Sequence, residues 1–147
     1  MIDRLTAIAA PLSALALVFT AGAALAQEAA TLEITFSGIS QPTGAIYGAV
    51  YDSEAAFKGG KGVRSFRIDV TGPEARQTIA DLPPGRYAIK LFHDVDGDGK
   101  MSTNPFGMPT EPYAASNNAK ANMGPPTWED AAFDLTADGA AQTITID

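Results

Sequence analysis

The sequence predicts an all-β domain, and three observations carry that prediction. Apolar and polar residues alternate in short runs, most clearly Leu32, Ile34 and Phe36 against Glu33, Thr35 and Ser37. A period of two is the mark of a half-buried strand. Turn formers punctuate the chain between runs. No run of apolar residues at helical spacing reaches the length of an ordinary helix.

Each element follows in order. Gly38 and the Gln41-Pro42-Thr43-Gly44 turn end the first strand. In the second, Ile46, Gly48 and Val50 share one face, and Tyr47, Ala49 and Tyr51 the other. Residues 53–57 suit one helical turn with Ser53 as its cap. A glycine-rich loop leads to a strand over 63–70, through Phe66, Ile68 and Val70. Ala75–Leu82 is a further strand. Pro83-Pro84-Gly85 turns the chain into residues 86–93, where Tyr87, Ile89 and Leu91 oppose Ala88, Lys90 and Phe92. Residues 131–135 and 142–146 read as a last hairpin around Ala137-Asp138-Gly139-Ala140. The result is a single antiparallel β-sandwich of about seven strands with a long ordered loop. Its predicted core is Leu32, Ile34, Phe36, Ile46, Val50, Phe66, Ile68, Tyr87, Ile89, Leu91, Phe133, Ile144 and Ile146. A membrane barrel would need alternating strands of about ten residues with aromatic girdles, and these runs are too short and few.

The first 26 residues read as a cleaved export signal. Arg4 supplies the positive start, residues 5–25 are apolar, and Ala24-Leu25-Ala26 is a small-x-small cleavage site before Gln27-Glu28. An uncleaved membrane anchor is the rival reading, but the segment is rich in Ala and Gly and no Lys/Arg cluster follows it. Residues 27–147 are then one domain, outside the cytoplasm in the periplasm or the medium, with no membrane insertion after cleavage. The chain has no cysteine, so neither a lipidated cysteine nor a disulfide is available, and stability rests on the core or on a bound metal. A net charge of −7 repels nucleic acid and anionic lipid and excludes both as main partners.

The most informative stretch begins at Asp94. Asp94, Asp96 and Asp98 stand at alternate positions, and Gly99 follows. Such spacing in a tight loop turns carboxylate oxygens towards one point, and a glycine permits the sharp turn around a calcium ion. Lys100 is placed to give a backbone carbonyl and Ser102 to hold a water. The twelfth position of an EF-hand loop is Pro105 instead of Glu, and flanking helices are absent, so an EF-hand is excluded. Asn104 and Glu111 are the candidates for the missing ligand. The competing reading is an acidic turn whose carboxylates cap backbone N–H groups.

Residues 103–128 are dense in Asn, Gly and Pro but also carry Phe106, Met108, Tyr113, Met123 and Trp128. That content predicts an ordered flap over one end of the domain. Those side chains form either a minor core under the flap or, through Tyr113 and Trp128, a platform for a small ligand or glycan.

Two resemblances stand on these residues. The run Leu-Pro-Pro-Gly-Arg-Tyr-Ala-Ile-Lys-Leu-Phe-His from Leu82 resembles the Pro-Gly turn and Tyr-bearing core strand of prealbumin-like and carboxypeptidase-regulatory-like sandwiches. Five linked motifs are similar to the DUF2141 family: Phe92-His93-Asp94, Asp96-Gly97-Asp98-Gly99-Lys100, Gly107-Met108-Pro109-Thr110-Glu111-Pro112-Tyr113, Ser116-Asn117-Asn118-Ala119 and the segment from Gly124 to Phe133. The resemblance implies an exported bacterial protein of unknown function. It also implies that Asn often stands at the positions of Asp96 and Asp98, and Asp near Ser102.

Catalytic chemistry has thin support. His93 is the single histidine, and His93 and Asp94, as neighbours on a strand, point to opposite faces. Ser116 lies in no nucleophile-elbow motif, one histidine is scant for zinc, and Glu111 with Glu129 or Asp130 is the remaining carboxylate pair. The expectation is a non-catalytic envelope module, structural or interaction in role, stabilised by calcium and serving an unknown envelope partner. Ligand or glycan binding is the alternative, and a hydrolase is the more distant one.

Overall fold

The structure, a computed structural model, describes residues 29–146, so the predicted export signal lies outside the described residues. Eight strands and two short helices occur among them: β1 (Ala30–Ser37), β2 (Ala45–Tyr51), α1 (Glu54–Gly59), β3 (Arg64–Asp69), β4 (Ala75–Leu82), β5 (Gly85–Asp94), β6 (Tyr113–Ala115), α2 (Trp128–Ala131), β7 (Phe133–Leu135) and β8 (Ala140–Thr145). The smaller sheet has the order β4-β1-β8. The larger has the order β3-β2-β5-β6, with β7 also paired to β5. All-β is therefore correct, with one strand more than expected.

Alternation places the core as the sequence implies. Leu32, Ile34 and Phe36 of β1 and Ile144 of β8 meet Ile46, Val50, Phe66, Tyr87, Ile89 and Leu91 of the other sheet in one buried cluster, with Phe133 and Ile146, and Ile68 packs at its margin. The Phe36 and Phe66 rings bridge the two sheets at 5.9 Å. A second, smaller cluster lies on the outer face of β5, where Tyr51, Phe57, Ala88, Ala115, Trp128 and Ala131 are buried together. This explains why β5 is buried on both faces along much of its length. α1 begins as predicted, with the Ser53 hydroxyl accepting from the Ala56 N–H.

Three expectations are corrected. The sheets are not wholly antiparallel, because β8 runs parallel to β1, from Leu32 opposite Ala140 to Ser37 opposite Thr145. The predicted last hairpin does not form. β7 pairs with β5 at Gly85–Tyr87, whereas β8 crosses to the other sheet. The cause lies in the turn between them. Gly139 packs so closely on the start of β1 that a Cβ there would stand 2.7 Å from the Thr31 carbonyl oxygen. The chain therefore enters β8 where β1 begins and runs alongside it. Finally, residues 103–128 are not one loop, since they include β6 and a 3₁₀ turn at Ser116–Asn118.

That turn ties the sheets together. Ser116 is fully buried; its hydroxyl accepts from the Ile89 N–H at 2.9 Å and donates to the Ala131 carbonyl at 2.5 Å. Asn117 donates to the Ala132 carbonyl. Asn118 accepts from the Thr145 N–H and donates to the Thr143 carbonyl, so one side-chain amide satisfies the edge of β8 much as a neighbouring strand would. Losing a buried bond while leaving its partners unpaired costs about 1–3 kcal/mol. We expect Ser116→Ala to lower the melting temperature by several degrees, read by circular dichroism. A variant as stable as the parent would show that this turn is not a structural tie.

Candidate functional site

The site begins with the end of a strand. Asp94 closes β5 and is only 1% exposed. A buried carboxylate is costly unless it is hydrogen-bonded, and the next five residues supply the bonds. Gly97 and Asp98 donate their N–H groups to Asp94 Oδ1 at 2.8 and 3.2 Å, and Gly99 donates to Oδ2 at 2.9 Å. The loop curls back this tightly because Gly97 and Gly99 both adopt positive φ, near +77° and +78°. Gly44 makes room for it: a Cβ there would lie 1.9 Å from the Asp94 carbonyl oxygen.

Glu111 fastens the loop from the other side. Its Oε1 accepts from the Val95 N–H and its Oε2 from the Ser102 N–H, each at 2.9 Å, so one buried side chain joins both ends of the loop. Asp94, Asp96 and Glu111 each bring an oxygen to within 4.8 Å of one another. This triad can hold a metal ion, and Glu111, not Asp98, completes the converging group. A carboxylate offers about four acceptor positions, so Glu111 keeps two or so beyond its two N–H bonds.

The other sequence candidates serve the loop itself. Asp98 accepts from the Lys100 N–H. Ser102 contributes its N–H to Glu111. Asn104 Oδ1 caps a separate turn, accepting from Phe106 and Met108 at 2.9 and 3.0 Å.

The remaining candidates separate. Trp128 is buried, packed edge-on against Phe57 at 5.9 Å, whereas Tyr113 is 39% exposed, so they share no exposed platform. Phe106, Met108 and Met123 are also exposed, and only Trp128 joins a minor core. His93 Nε2 lies 2.7 Å from the Thr43 carbonyl, and Ser116 is committed to the backbone. Glu129 pairs with Arg86 at 3.0 Å. Arg86 and the Val95 N–H held by Glu111 are separated by about 30 Å of strand, far more than a glycosidase pair spans. Sequence reasoning missed the Ser116-Asn117-Asn118 tie and α2. The Thr127-x-x-Asp130 pattern was the legible cue for α2, and Thr127 does cap it.

Electrostatics make Asp96 the strained member. The Asp98 N–H favours its charged form, but dehydration and the charges of Asp98 and Glu111 outweigh that, and its carboxyl is held above the ordinary 3.8. A raised carboxyl stabilises the fold at acid pH, and that contribution is lost as pH rises through its folded value. Removing the charge relieves the repulsion. We expect Asp96→Asn to melt at or above the parent temperature at pH 7 in EGTA, with the difference vanishing in acid. A lower melting temperature would contradict this.

No curated protein and no solved structure matches the chain. Residues 34–144 match the family described as "Uncharacterized protein conserved in bacteria (DUF2141)", which spans the sheets, the acidic loop and the Ser116–Asn118 turn. The chain belongs to the DUF2141 family.

Proposed function

We propose that residues 27–147 form an exported, non-catalytic module of the cell envelope, structural or interaction in role, whose acidic loop is stabilised by calcium. The convergence of Asp94, Asp96 and Glu111 carries this reading. Three carboxylates at one point repel each other, and a hard cation removes the repulsion. Calcium suits the site better than magnesium, because flexible loops of carboxylates and carbonyls meet its looser geometry. Much of the acceptor capacity of Asp94 is already spent on N–H groups, so water completes the shell and the affinity falls in the 10⁻⁴–10⁻³ M range of extracellular calcium modules.

The non-catalytic part of the reading is supported by the commitment of Ser116 to backbone groups and by the contact of His93 with Thr43. Export is supported by Arg4, the apolar stretch and Ala24-Leu25-Ala26. A prealbumin-like architecture is supported by the turn at Pro83, whose carbonyl accepts from the Tyr87 hydroxyl at 2.8 Å as β5 enters the larger sheet.

Calcium titration of the EGTA-treated domain tests the cation. A ligand bound only by the folded state stabilises it by about 1.4 kcal/mol at 10 times its Kd, which raises the melting temperature by several degrees. We expect that rise at millimolar calcium, a smaller one with magnesium, and none in Asp96→Ala or Glu111→Gln. Cleavage within residues 103–128 should also slow when calcium is added. An unchanged melting temperature in the parent would leave the loop a self-capped acidic turn.

A further inference from the structure

The outer face of the larger sheet holds a recess that the acidic loop does not use. Its volume is about 740 Å³, within the ordinary range of small-molecule sites. Leu91, Tyr113, Pro109, Met101, Met108 and Met123 are among the residues that line it. All three methionines of the described residues line it. Thioether side chains are flexible and polarisable, and they adapt to apolar ligands of irregular shape. Met108 and Met123 are exposed although they are large and apolar. A hollow of about 330 Å³ adjoins the recess, sharing Lys90, Leu91 and Met101, and Tyr47 and Phe92 stack at 5.5 Å along it.

One charge serves both spaces. Lys90 is the single charged residue lining either, in a protein of net charge −7. Its ammonium lies 4.3 Å from the Phe57 ring centroid and 4.9 Å from that of Tyr51, and it donates to the Phe57 carbonyl. Among the described residues no carboxylate forms an ion pair with it. Burial accordingly pushes Lys90 below its usual value. An ammonium has three N–H donors, and the Phe57 carbonyl takes one of them.

We propose that this groove binds a small amphiphile with one carboxylate and an apolar chain, the carboxylate at Lys90 and the chain among Met101, Met108 and Met123. Charge complementarity selects the head group. A carboxylate supplies the counter-charge that Lys90 lacks, and the aromatic and methionine walls exclude the water that would weaken the pair. The cation-binding reading is independent of this one, since no residue of the acidic triad lines either space.

Calorimetric titration of the mature protein in EGTA tests the proposal, with dodecanoate as the probe below its micellar concentration. Dodecan-1-ol and dodecyltrimethylammonium share its chain and differ in head group. Dodecanoate should bind at one site, the alcohol at least tenfold more weakly, and the cation not measurably. Lys90→Met should reduce dodecanoate to the affinity of the alcohol, and Lys90→Arg should retain most of it. Met108→Ser with Met123→Ser, at exposed positions that leave the fold intact, should weaken dodecanoate and the alcohol alike. Absence of binding by dodecanoate, equal binding of all three probes, or full affinity in a folded Lys90→Met protein would overturn it. So would a dimer that dissociates in the double serine variant, which would make a second copy the occupant.

Discussion

Five backbone N–H groups converge on two buried carboxylates, and the geometry of the candidate site depends on that arrangement. Asp94 takes Gly97, Asp98 and Gly99; Glu111 takes Val95 and Ser102. Both carboxylates are largely shielded from the water that ordinarily stabilises their charge, so the backbone supplies the substitute. The loop is shaped by that demand. It also spans two strands of the larger sheet, because Asp94 ends β5 and Glu111 stands just before β6, where the His93 N–H donates to the Pro112 carbonyl at 2.8 Å.

The sheets themselves divide the molecule's outer faces unequally. Near α1 and α2 the outer face of β5 is closed by Tyr51, Phe57, Ala88 and Trp128. Farther along it is roofed only by a chain segment rich in methionine and proline. The Ser116–Asn118 turn holds the boundary between these regions, bonded at once to β5, to the α2 end and to the edge of β8. A rigid scaffold with an adaptable wall is the combination by which loops usually carry recognition.

Much of the fold was legible because it is local. A period of two along Leu32, Ile34 and Phe36, or along Tyr87, Ile89 and Leu91, exposes one face to the core wherever the strand pairs, and these residues are buried as expected. Pairing partners are not local. The Asp138-Gly139 turn looked like a hairpin, but β7 is only three residues long and its Phe133 and Leu135 are needed beside β5. The acidic site shows the same division. Alternate aspartates could be read from spacing, and Glu111 was one of two candidates for the missing ligand, but spacing could not choose between it and Asn104. Asn104 offered the same chemistry on paper and is captured by its own turn. Trp128 could be read as part of a minor core or of a ligand platform, and the helical turn capped by Thr127 folds it onto Phe57, in the minor core.

The central claim is that Asp94 and Glu111 gather the loop into a cation site, and amide NMR of the mature domain tests it most directly. Val95, Gly97, Gly99 and Ser102 should exchange slowly with solvent even in EGTA, shift on calcium titration with one common affinity, and lose both properties in Glu111→Gln. Fast exchange at these four amides, or no shift at millimolar calcium in the parent, would contradict the account.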